Sequence, residues 1–256
     1  MADIKIQISN ESTVLTDDKV QAVVPALQTQ VRDHFAPVWG IDADLEFVTK
    51  DKLDKSKWWL IIFDNSDQAG ALGYHDLNPT GLPIGKVFAG TDMQYGYQWT
   101  VTTSHELLEM LADPDINLTA LMTPDQKTAI LYAYEVCDAV EADHYGYDID
   151  GVLVSDFVYP SYFENMFMDQ NVQFDYKKYL KNIVPDMLSG GYMSYWDINS
   201  GSGWQQINAD RPSGIKGMRT PRPRVGSRRE RKMMPRNQWM KSEIKGKSVS
   251  RAPARR

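Results

Sequence analysis

The residues whose types and spacing best suit chemistry lie between Thr102 and Pro114, where an apolar run carries His105, Glu106 and Glu109. On a helix, positions four apart lie one above the other, so an imidazole at 105 and a carboxylate at 109 can close on one cation with Glu106 beside them. That chemistry is the binding of a divalent metal. Further carboxylates stand among apolar residues at Glu135 and Asp138, three apart, and Asp115 follows directly after the run. His75 and His144 are outlying candidates. The single cysteine, Cys137, sits in apolar surroundings and reads as packing, so any metal must be held by His, Asp or Glu. The same stretch also suits a plain core helix in which Leu107, Leu108, Met110 and Leu111 pack, His105 is a hydrogen-bonded buried histidine and the acids face solvent.

Hydrophobic periodicity supplies elements that can position these groups. Ile4 to Ser9 alternates as a half-buried strand does. Thr16 caps a helix in which Val20, Val23, Val24, Leu27, Val31 and Phe35 recur at helical spacing; Pro25 is expected to kink or split it, and Pro37 and Gly40 to end it. Strands are expected at Leu45 to Thr49 and at Lys57 to Asp64, the second apolar enough for burial on both faces. Residues 70 to 85 read as turns with a short strand around Leu72 to Asp76, and Lys86 to Thr91 as one strand more. Thr103 and Glu106 form a capping box, yet an earlier helix start is favoured; Asp113 before Pro114 closes that helix. A second helix is expected to begin at Thr123, with Pro124 in its first turn and Gln126 completing a box, and to run through Ile130 to Glu141, placing Glu135 and Asp138 on one face. Asp150-Gly151 marks a hairpin. Tyr192 to Asp197 and Gly203 to Asn208 read as closing strands.

The chain has 256 residues, 42% of them hydrophobic, enough for a substantial core. Its net charge of -6 is unevenly spread. Residues 211–256 hold 16 Lys and Arg against Glu230 and Glu243, a balance of +14 that leaves -20 for the first 210 residues. The division expected is therefore an acidic globular domain over residues 1–210 and a basic, extended tail over 211–256 that lacks the apolar surface to fold alone. The N-terminus lacks a basic-then-apolar leader pattern and no run approaches the ~18 apolar residues of a membrane span. No membrane partner is expected, and the protein reads as cytoplasmic when made.

The order strand, helix, three strands and then the His105 helix resembles that of the zincin metallopeptidases, in which a twisted sheet with one helix packed on it precedes the metal-binding helix. His105-Glu106-x-x-Glu109 likewise resembles their H-E-x-x-H motif, with Glu109 where the second histidine stands. The resemblance covers roughly residues 1 to 140. Ser104 to Pro114, followed by Glu135 to Asp138, is also similar to uncharacterised proteins of bacteria and tailed phages, a resemblance that implies no established activity. The zincin likeness implies an α+β fold with a mixed sheet, a packed helix, the metal-type helix, a second helix and a hairpin. It implies zinc or another divalent cation held by His105 and Glu109, with Glu106 as general base. The third ligand would be Glu135 if it comes from a later helix, or Asp115 if it lies six residues beyond Glu109. Glu135 is preferred, because a carboxylate among Leu131, Tyr134 and Val136 needs a partner when buried, whereas Asp115 follows a proline in a turn.

Glu109 changes the expected chemistry. A carboxylate donates more charge than an imidazole, so the ion becomes a weaker Lewis acid and harder ions such as Mn²⁺, Mg²⁺ or Ca²⁺ compete with zinc. Two functions follow from these residues. One is a metal-dependent, peptidase-like hydrolase with an active site that can have degenerated. The other is a structural component of a virion or similar assembly, whose basic tail binds neighbouring subunits, a second copy or nucleic acid.

Overall fold

The computed structural model describes residues 2–67, 71–125, 127–164, 172–200 and 203–209. The basic stretch 211–256 lies outside them, and so does the expectation that it is extended. The chain is a mixed α+β protein. Its first half builds a five-stranded sheet from β1 (Ile4–Asn10), β2 (Ala43–Phe47), β3 (Trp58–Phe63), β4 (Gly73–Leu77) and β5 (Pro83–Phe88) in the order β2-β1-β3-β5-β4. The first four strands in that order run parallel; β4 pairs antiparallel with β5 and forms the edge.

Two helices cover one face of this sheet. Helix α1 (Asp17–Thr29) starts at Thr16, whose hydroxyl accepts the Lys19 N–H, and packs on β1 and β2. Pro25 does not split it: the residue is on the solvent side, where water can take the carbonyl that its missing N–H leaves behind. A π-helical stretch, Gln30–Phe35, and a last turn, α2 (Ala36–Trp39), carry the helix past Pro37 to Gly40. After β5 comes a short helix, α3 (Ala89–Tyr95), where the sequence reads as strand and loop, and then α4 (Trp99–Ala112). Helix α4 starts early, as favoured. Thr103 is not its cap, because its hydroxyl donates back to the Trp99 carbonyl at 2.6 Å. The helix packs across β5, β4 and β3, and Leu107, Leu108 and Met110 are fully buried with Ile6, Ile8, Leu60, Ile62 and Val87. Each such side chain contributes about 2 kcal/mol. On the other face lies a smaller cluster of Trp59, Ile61 and Ile84.

The second half departs from the expected order. Among the described residues, no helix spans 123 to 141. Residues Thr119–Asp125 and Thr128–Ala133 are strands β6 and β7 of a hairpin. The turn is held by Asp125, whose carboxylate accepts the Lys127 and Thr128 amides and the Thr128 hydroxyl. Pro124 is tolerated because β6 is an edge strand and its register shifts between Met122 and Asp125. Thr128 to Tyr132 supplies the β-branched and aromatic residues that favour pleated structure. Strands β6 and β7 join the two closing strands, β10 (Tyr192–Asp197) and β11 (Gln205–Asn208), in an antiparallel sheet ordered β11-β10-β7-β6. Between them, β8 (Tyr147–Ile149) and β9 (Val152–Val154) form the expected hairpin, with Asp150 at φ 51° and Gly151 at φ 85° supplying the left-handed turn. Among the described residues, no helix is long and apolar enough to cross a membrane.

Just beyond β9, Asp156 is buried against Asp175 with no exposure on either side chain. One Asp156 oxygen accepts the Phe157 and Lys177 amides, while Asp175 accepts those of Tyr179 and Leu180. Burial, then hydrogen bonding to and repulsion from Asp175, push the Asp156 carboxyl up to about 9. Its folded-state value is raised, so its contribution to stability is complete below the ordinary carboxyl range and is lost as pH rises towards 9. Between pH 5 and pH 8 the unfolding free energy should fall, with this residue contributing at most about 1.4 kcal/mol per pH unit. Asp156→Asn, which keeps the acceptor oxygen and donates an N–H to Asp175, should flatten that slope in urea titrations.

Candidate metal centre

Four segments bring polar side chains to one cavity of about 150 Å³. Helix α4 supplies His105, Glu106 and Glu109. Edge strand β4 supplies His75. The chain leaving β7 supplies Glu135, and the 3₁₀ turn after it, Asp138–Val140, supplies Asp138. These six residues are between 1% and 7% exposed. The helix can carry them inward because it is buried almost all round, with Ser104 accepting the Ser155 amide at 2.6 Å and Thr100 donating to the Leu153 carbonyl at 2.7 Å.

Glu109 stands at the centre. One of its oxygens, Oε2, is 3.3 Å from His105 Nε2 and 3.7 Å from His75 Nδ1; the other, Oε1, accepts the Cys137 amide at 3.2 Å. His75 Nδ1 is also 3.7 Å from Glu106 Oε2, and His75 Nε2 is 4.0 Å from Glu135 Oε2. His105 Nε2 lies 3.3 Å from Asp138 Oδ1. Two groups of donor atoms each fall within 4.8 Å of one another: His75, Glu109 and Glu135, and His105, Glu109 and Cys137. The first offers one nitrogen and two carboxylates, a set of the right chemistry for a divalent ion.

The electrostatics follow from burial and crowding. Burial lowers the His105 ring's affinity for protons, but the Glu109 charge and hydrogen bonds to Asp138 and Glu109 outweigh it and hold the ring well above its ordinary value. Burial and the Glu109 charge push the Asp138 carboxyl up to about 6, against hydrogen bonds from His105 and Tyr192. Burial pushes the Cys137 thiol well up.

The sequence-derived candidates His105, Glu106, Glu109 and Glu135 all line the cavity, although Glu135 arrives from a strand end and not from a helix. His105 and Glu135 fall in different donor groups. Asp115 is exposed in the turn after α4 and is not part of the cavity wall; His144 is exposed against the Tyr145 ring. Two residues that matter here had only a faint sequence signal. In Gly73-Tyr-His75, alternation puts Gly73 and His75 on one face of β4, and a glycine inside a strand marks a close approach. A Cβ at Gly73 would stand 2.7 Å from Glu106 Cγ and Oε1 and 2.9 Å from the Lys86 carbonyl oxygen.

Comparison with protein-family models, curated proteins and solved structures found no match to this chain.

Replacing Gly73 by Ala forces the Glu106 carboxylate or the β4 backbone to move, because Lys86 offers backbone and not a flexible side chain on the other side. Overpacking of this kind should lower stability by roughly 2 kcal/mol. A shift of the urea midpoint at unchanged slope would register it.

Proposed function

We propose that the chain is a metal-dependent, zincin-like hydrolase of the peptidase type, with a divalent ion held in the cavity beside α4. The supporting observation is the Glu109 carboxylate, buried and shared between two donor groups that each include a histidine. The sheet, with α1 packed on it, precedes α4 in the chain, and that order is what the resemblance to zincins rests on. A divalent ion bound here would supply Lewis acidity towards a substrate carbonyl. Glu109 and Glu135 would hold it with a histidine. Glu106, next to His75 and given its space by Gly73, would take a proton and return it. Two anionic ligands reduce the acidity available, so this reading carries slow turnover and an active site weaker than that of a histidine-rich enzyme.

Purified protein should carry close to one divalent ion per chain by elemental analysis. Glu106→Gln should reduce cleavage of an unfolded protein substrate at least 100-fold, the usual scale of a lost acid-base group, with metal content and unfolding midpoint retained. Wild-type protein that binds no ion and cleaves nothing would sink the proposal.

A second reading, an assembly component of a virion or comparable structure, draws on the charge division between -20 and +14. Catalysis has no need of a long cationic stretch, whereas a subunit that must grip an acidic neighbour or nucleic acid does. On this reading, deleting residues 211–256 should abolish association, and added salt should weaken it steeply in the intact chain, both visible by sedimentation.

A further inference from the structure

We propose that the ion is held by His75, Glu109 and Glu135, and that His105 is a positioning residue that holds Glu109 in place. This rests on the reading that an ion binds in the cavity, and it moves the nitrogen ligand from α4 to the edge strand β4.

The donor set favours His75, whose group is completed by two carboxylates of the cavity wall. A tetrahedral ion with bonds of about 2.1 Å places its ligand atoms roughly 3.4 Å apart. One ligand atom each from His75, Glu109 and Glu135 falls within 4.8 Å of the others, so an inward movement of the three side chains closes such a site. All three residues line the cavity through which an ion would arrive. The competing group requires Cys137, which is fully buried, is not part of the cavity wall and would have to bind as thiolate.

His105 is engaged elsewhere. Its Nε2 lies 3.3 Å from Glu109 and 3.3 Å from Asp138, midway between two carboxylates. A nitrogen whose one N–H is shared between Glu109 and Asp138 has no lone pair to present to an ion. Together with the Cys137 amide on Oε1, His105 fixes the direction of the Glu109 carboxylate, the service that hydrogen bonds behind a ligand usually perform. Glu106, 3.7 Å from His75 Nδ1, then lies beside the ion-binding imidazole and outside the ligand set.

The test is metal binding by the full chain, stripped of metal and titrated with Zn²⁺, Mn²⁺ and Co²⁺ in equilibrium dialysis, with the unfolding midpoint of each variant measured alongside. His75→Ala and Glu135→Gln should lose stoichiometric binding. His105→Gln should keep one ion per chain with affinity weakened about 10- to 100-fold, and its visible Co²⁺ spectrum should match the wild type, since the ligand atoms are unchanged. If His75→Ala fails to fold, His75→Gln takes its place. Loss of the ion in His105→Gln, or its retention in the His75 variant, would overturn the assignment while leaving an ion-binding protein. Wild-type protein that takes up none of the three ions would instead remove the reading beneath it.

Discussion

Four buried carboxyl groups and two imidazoles share the wall of one small cavity, and the cost of keeping that many like charges out of water constrains the rest of the structure. A carboxylate in such a place must find a cation, a hydrogen bond or a proton. Each solution is present. His105 sits between Glu109 and Asp138, the Cys137 amide serves Glu109, and Asp138 responds by holding its proton to about 6. The crowding around His75, with Glu106, Glu109 and Glu135 all within 4.0 Å, is the part of the cluster where a divalent charge would do most to offset repulsion.

The scaffold bears this cost through α4. A helix buried on nearly every side contributes apolar contacts from Leu107, Leu108, Met110 and Leu111 that can offset several kilocalories per mole of polar burial, and its own backbone bonds need no water. Its ends are held as firmly as its middle. Thr102 donates to Asp92, and Asp113 accepts the Asn117 and Leu118 amides, so the helix cannot slide to relieve the charge. Gly73, which lacks the Cβ that would strike Glu106, lets the helix lie close against the sheet, and Gly85 leaves room for the Leu60 side chain of β3. The acids are therefore held together by packing on their apolar neighbours and in spite of their mutual repulsion.

Legibility in the sequence divides along the same line. Elements whose signal is local were readable: the alternation of β1, the Thr16 cap, the unbroken apolar run of β3 and the Asp150-Gly151 turn all lie where their residues place them. The early start of α4 was readable too, although Thr103 offered a false cap. What failed was the stretch from Thr123, where a cap-like Thr-Pro-Asp-Gln precedes residues that suit either helix or strand. Pairing with β10, more than 60 residues away in sequence, decides for strand, and no local pattern carries that information. The candidate site survives the error because Glu135 lies just past the end of β7, where the chain turns beneath α4. His75 was only an outlying candidate: the short strand read around Leu72 to Asp76 was right, but nothing local shows that pairing with β5 sets it against α4.

The difference between histidine and carboxylate at position 109 also bears on what the proposed centre can do. With His75, Glu109 and Glu135 as ligands, two negative charges balance a dication, so the filled site is neutral and deeply buried without further partners. That favours retention of the ion. The same neutrality lowers the ion's pull on a substrate carbonyl, so stability of the centre and power of the reaction move in opposite directions. The surrounding charge of -20 raises the local concentration of every cation and discriminates weakly among them, which leaves selection to the one nitrogen donor. An imidazole favours zinc over magnesium or calcium, and two carboxylates favour the harder ions. On this reading, which ion is bound depends on whether His75 or the pair of glutamates dominates the site.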